Sequence, residues 1–267
     1  MLRSASGGHR PAGGRAASTG AAAIRRAAIF SPLRSSDRFV VLNGAHMKRM
    51  LITIATSLVF ALVVPAGSLA TLTEVGVIPE TTPPTVPSCP SPSCLAVSRT
   101  TGFQVKVEAA RSPLSAPRDG TVVAWTIMLG KPSAAQIKFF NANEGGPASA
   151  GIAILRAQRG TALGYKLIGQ SPPVQLQPYF GKTAQFPLAS TLPVKKGDVV
   201  ALTVPSWAPA LALGFAKRTS WRASRPKKQC STTGTQTAHV QIGSAVQYYC
   251  LYQTARLTYS ATLISTP

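Results

Sequence analysis

From about residue 95 to the C-terminus, apolar residues come in short runs rich in Val, Ile, Thr and aromatics, punctuated by Gly, Pro, Ser and Asn about every eight to fifteen residues. "GFQVKVEA" sets Phe103, Val105 and Val107 against Gln104, Lys106 and Glu108, the period of two expected of a half-buried strand. "TVVAWTIML" is apolar on both faces, with Val123, Trp125, Ile127 and Leu129 on one and Val122, Ala124 and Met128 on the other, which suits a central strand. "RLTYSATLIS" alternates most cleanly, Leu257, Tyr259, Ala261 and Leu263 facing away from Arg256, Thr258, Ser260 and Thr262. Further strands are expected at "AQIKFFNA", "GIAILRAQ", "GYKLIGQS", "TAQFPL", "GDVVALTVP", "LALGFA" and "HVQIGSAVQYYCLYQ". No window of twelve residues reads as a capped amphipathic helix. About ten strands and no helix predict an all-β, antiparallel β-sandwich over residues 95–267, jelly-roll-like rather than of the seven-strand immunoglobulin type.

The chain ahead of this region has a different texture. Residues 1–46 are Ala, Gly, Ser and Arg without a period and cannot bury a core, so they are expected to be a disordered leader or an extension from a mis-assigned start. Residues 47–70 open with Lys48 and Arg49, run through an apolar stretch from Met50 to Val64 and end in Ser68-Leu69-Ala70, the three parts of a secretory signal peptide. The apolar stretch is shorter than the roughly 20 residues a spanning helix needs, so cleavage after Ala70 is expected over retention as an anchor. Residues 71–94 are expected to be a Pro-rich linker, a semi-rigid stalk or a tail along the domain, with six prolines between Pro79 and Cys94.

Export changes how the charge and the cysteines are read. Beyond residue 70, nineteen Lys and Arg stand against six Asp and Glu. A field of that sign attracts anionic polymers and surfaces. In an exported protein, cell-envelope polymer or acidic polysaccharide comes before nucleic acid, and a membrane partner only if the signal stays as an anchor. All four cysteines lie beyond Ala70, and disulfides Cys89–Cys94 and Cys230–Cys250 are the simplest pairing. A metal site combining them with His239 has poor ligand spacing, so no metal and no cofactor is expected.

"STLPVKKGDVVALTVP" (190–205) combines a strand entry, a turn at Lys195-Lys196-Gly197-Asp198 and an apolar strand; Gly197 supplies positive φ and Asp198 bonds nearby amides. With "GTVVAWTIMLG" and "GIAILRAQRGTALGYKLIGQS", it resembles secreted β-sandwich proteins of high-GC Gram-positive bacteria. The resemblance implies the fold and no functional residue.

Candidate chemistry is sparse. His239 is the only histidine after the signal, and no G-x-S-x-G frames a serine. "SRPK" (224–227) matches S-x-x-K by letters alone, and its proline opposes the required helix. The folded region offers Glu108, Asp119, Glu144 and Asp198 as carboxylates, with nothing that selects a glycosidase pair. "NANEGG" (141–146) has oxygen ligands at alternate positions but one carboxylate, and reads as a hairpin tip rather than a calcium loop.

The densest feature is "FAKRTSWRASRPKKQC" (215–230), where Lys217, Arg218, Arg222, Arg225, Lys227 and Lys228 surround Trp221. An exposed indole would offer a stacking face and the cations would pair with carboxylate or phosphate; Trp207 could be a second aromatic on the same end. The alternative is a solvated charged loop with the indole folded back. The expectation is a secreted or cell-surface, non-enzymatic module that binds an anionic envelope polymer or polysaccharide through these eight residues. A structural or protein-interaction module, and behind it a carbohydrate-active hydrolase, are the alternatives.

Overall fold

The computed structural model describes residues 70–77, 85–230 and 236–265. The expected leader (1–46) and, apart from Ala70, the expected signal (47–70) lie outside the described residues. None of the described helices is long and apolar enough to cross a membrane.

Among the described residues, fifteen strands and one α-helix follow in chain order. The first half holds β1 (Leu72–Val75), β2 (Val97–Val107), β3 (Ala110–Arg111), β4 (Gly120–Met128), α1 (Ala134–Asn143), β5 (Ser149–Ala157), β6 (Gly164–Gln170) and β7 (Val174–Gln175). Then come β8 (Thr183–Val194), β9 (Val199–Ala208), β10 (Leu211–Leu213) and β11 (Ser220–Ala223). The last are β12 (Ala245–Gln247), β13 (Cys250–Gln253), β14 (Ala255–Leu257) and β15 (Tyr259–Ser265).

One sheet has the order β1-β15-β4-β8 and the larger one β12-β6-β5-β9-β2-β11-β13, every pairing antiparallel. The chain changes sheet between β1 and β2, β2 and β4, β4 and β5, β6 and β8, β8 and β9, and β9 and β15. That interleaving of β1-β15-β4-β8 with β6-β5-β9-β2 is jelly-roll connectivity, and it buries one hydrophobic face of each sheet against the other. Trp125 and Ile127 pair with Ala261 and Tyr259 on the buried face, and the Tyr259 hydroxyl crosses to donate to the Val200 carbonyl of β9 at 2.9 Å. β4 is central, as its pattern predicts; a register shift between Val122 and Ala124 brings Val122 into the core on the side of Trp125.

The larger sheet is covered on both faces near its centre and curls into a half-barrel. Its edge strands β12 and β13 are joined by only Tyr248 and Tyr249, three Cα steps that span at most ~11 Å. Phe103 of β2, Tyr165 of β6 and Tyr248 meet inside the curl with ring centroids 5.2 to 5.5 Å apart. Gln104, expected on a wet face, is buried because its amide accepts from the Leu257 N–H and donates to the Ala255 carbonyl of β14.

Two expected elements differ. "AQIKFFNA" is helix α1, not a strand: Ser133 and Gln136 form a capping box, and Phe140 and Ile137 pack on the core while Phe139 is exposed. The stretch 71–94 is not a free spacer throughout. Residues 72–75 are β1, hydrogen-bonded along β15, and the Ser88 N–H donates to Leu211 O while the Gly130 and Lys131 backbone lies against Cys89. The buried Arg256 donates to the Val77 carbonyl at 2.7 Å, holding the N-terminal strand's exit. Cys89–Cys94 and Cys230–Cys250 are at disulfide distance.

The 195–198 turn forms as expected. Gly197 has φ +87° and the buried Asp198 carboxylate accepts from the Lys195 N–H at 2.8 Å and from Arg156 Nε and Nη2 at 2.8 and 2.7 Å. Arg156→Ala strands that carboxylate, so urea denaturation is expected to show a loss of about 1–3 kcal/mol, larger than the loss in Asp198→Asn.

Candidate functional site

The 215–230 stretch is not one loop. β11 occupies its middle, zipped between β2 and β13, and its four residues span ~13 Å. Lys217 and Arg218 therefore lie at one end, where Arg218 pairs with Glu108 at 3.0 Å; both are well exposed, so the pair contributes under about 1 kcal/mol. Arg225, Lys227 and Lys228 lie at the other end beside Cys230. The Arg225 guanidinium lies 5.8 Å from the Tyr252 ring centre and donates to the Tyr252 hydroxyl, and the Lys227 ammonium sits 5.8 Å from the Tyr249 ring centre. Arg222, midway, is spent on the Tyr248 and Tyr249 carbonyls at 3.1 and 2.8 Å. The structure thus brings three of the six cations together.

Both indoles expected at the surface are buried. Trp221 is 5% exposed because strand alternation turns it to the face opposite Arg222, where it stacks on Tyr252 with centroids 4.6 Å apart. Gly102 makes room for it: a Cβ there would stand 2.9 Å from the Trp221 ring and from the Arg222 carbonyl. Trp207 is fully buried between Phe140 and Phe180, and its Nε1 donates to Asn141 Oδ1 and the Gly146 carbonyl at 2.9 and 3.1 Å. Neither is a stacking platform. Asn141 of "NANEGG" is accordingly an acceptor at the end of α1 rather than part of a hairpin tip, and Glu144 faces Arg99 at 3.7 Å. Asp119 accepts from the Lys196 N–H, so the four candidate carboxylates all have structural partners. The described residues hold no cluster of three metal-ligating side chains.

A different feature emerges beside Arg225. Residues 236–244 cross to β6 of the half-barrel, and between them, the 224–229 turn and β12 lies an open groove of about 560 Å³. His239 forms its floor, 4% exposed. Its Nε2 is 3.0 Å from Ser244 Oγ and its Nδ1 3.1 Å from the Tyr248 hydroxyl, while its N–H donates to Thr101 Oγ1, itself 2.8 Å from Thr203 Oγ1. A Ser-His-Tyr line of this kind invites comparison with a nucleophilic relay. Ser244 Oγ donates instead to the Gln241 carbonyl at 2.7 Å, no carboxylate among the described residues backs the imidazole, and the neighbouring Gly243 and Ser244 N–H groups are bonded to the Leu167 and Gln241 carbonyls. The arrangement fixes the groove floor. Sequence alone does not bring these residues together, because "HVQIGSAVQYYCLYQ" reads as one strand. Gly243, at φ +88°, is the letter that breaks it into a crossing segment and two edges.

Trp207→Ala and Trp221→Ala are each expected to cost about 3–5 kcal/mol in denaturant unfolding, as large-to-small core changes do; surface platforms would leave stability unchanged. Burial pushes the His239 pKa below 6.5, outweighing the Ser244 carbonyl bond that raises it. The unfolded chain therefore binds this proton first, and the stability present above about pH 6.5 declines as pH falls through the folded value. Melting temperatures from about pH 7.5 to about pH 5 are expected to fall less steeply in His239→Gln than in the wild type.

No model of a known protein family, no curated protein and no solved structure matches this chain.

Proposed function

We propose that this is an extracytoplasmic, non-enzymatic jelly-roll module that associates with an anionic polymer of the cell envelope. The carrying observation is the imbalance of surface charge. Among the described residues only Arg99, Arg156 and Arg218 have a carboxylate within ion-pair distance. Lys131, Lys138, Arg159, Lys182, Lys195 and Lys227 are exposed without one. Unneutralised cations repel one another and gain from a polyanion, whose bound counterions they release. Two cysteine pairs at bonding distance fit an oxidising compartment and therefore such a partner.

Burial of Trp207 and Trp221 removes aromatic stacking from this reading and shifts its weight to charge. A protein-interaction module is the second reading, favoured by Val240, Ile242, Tyr249 and Leu251, which are exposed on the segment that wraps the half-barrel.

Retention on isolated cell wall separates the two. Polymer association predicts binding at ~0.01 M salt and release at ~1 M, where the Debye length falls from about 30 to about 3 Å. Retention that rises or stays level with salt would favour the apolar surface.

A further inference from the structure

We propose that the groove beside β11 is a subsite for one acidic, hydroxyl-rich sugar unit, which makes the polymer a carboxylated polysaccharide; this rests on the polyanion reading above. About 560 Å³ lies within the ~300–1,000 Å³ range of small-ligand sites. Its lining is mixed, apolar at Ala238, Val240 and Val246 and hydroxyl- or amide-bearing at Ser224, Gln241 and Gln247, with no carboxylate among the described residues. Amides and hydroxyls both donate and accept, as each sugar hydroxyl does, whereas a phosphodiester chain offers acceptors alone and calls for a lining of donors.

The acidic group is assigned by Arg225, the one charged residue among the described residues that line the groove. Its guanidinium has neutral partners, the Tyr252 hydroxyl and the Ser98 carbonyl, and its buried Nε has none among the described residues. Its charge is therefore uncompensated, and a sugar carboxylate is the planar anion a guanidinium fits. Lys227 and Lys228 follow on the same turn and add attraction without shape, and no acid occurs between Asp198 and the C-terminus.

The walls are held before any ligand arrives. Cys230–Cys250 ties the end of the 224–229 turn to β13, Gln170 Nε2 donates to the Val240 carbonyl at 2.7 Å, and His239 clamps Ser244 from below. Such pre-organisation lowers the entropy lost on binding.

The test is calorimetric titration of the mature chain at ~0.15 M salt, where charge separated by more than about 8 Å is screened. Probes are tetragalacturonate, a neutral tetrasaccharide and inorganic polyphosphate. Tetragalacturonate is expected to bind at least about tenfold more tightly than either of the others. Gln241→Ala and Gln247→Ala, both at exposed side chains, are expected to weaken it about tenfold each with unchanged melting temperatures. Arg225→Gln removes the preference for the acidic over the neutral sugar, while Lys217→Gln at the far end of β11 changes nothing. Polyphosphate binding as tightly as tetragalacturonate, or wild-type affinity in both glutamine variants, overturns the inference. If no oligosaccharide binds yet the chain is still held on cell wall at low salt, the groove fails and the polyanion reading stands. If low-salt retention is absent as well, both fail.

Discussion

Three aromatic rings from distant parts of the chain, Phe103, Tyr165 and Tyr248, lie edge to face or tilted against one another within 5.5 Å. Phe103 and Tyr165 belong to β2 and β6, strands separated in the sheet by β9 and β5, so the contact is possible only in a strongly curled sheet. A flat sheet would leave the Val199–Thr203 and Gly151–Leu155 backbones under one layer and open on the other. The curl covers them twice and draws β12 and β13 close enough for two residues to join them. The groove walls and the approach of Tyr249 to Lys227 follow from that closure.

The segment between β9 and β15 does this while adding little apolar core of its own. It contributes Trp221 and Leu257 to one side of the larger sheet and Tyr248 to the other, with polar side chains between them. The inside of the half-barrel is accordingly a mixed layer in which Thr101, Thr203, His239 and Tyr248 satisfy one another. Buried polar groups so linked fix a single arrangement, because any slip leaves a donor or acceptor unpaired.

The elements best forecast from sequence are those whose local period and tertiary fate agree. β4, β9 and β15 alternate or run apolar and become central strands, and the Lys195–Asp198 turn carries its own chemistry in Gly197 and Asp198. Helix α1 escapes because it is short and weakly amphipathic, although Ser133 and Gln136 spell its cap. Gln104 reads as wet because nothing local shows that β14 will supply two partners for its amide. Clustering of Lys and Arg around Trp221 in the sequence suggests one site, but a strand through the cluster sends alternate residues to opposite faces and splits the rest between two ends. Spacing along a chain carries no such information until the strand is known. The groove is invisible at that level, since its walls meet only when the curl of the sheet brings the turn after β11 to β12.

Cys230 and Cys250 also close a covalent ring around the crossing segment and β12. A peptide bond cut inside that ring does not release a fragment, because both new ends remain on the same molecule through the bridge. Proteases attack exposed turns first. The most elaborated surface of this protein can therefore be nicked and still purify as one body.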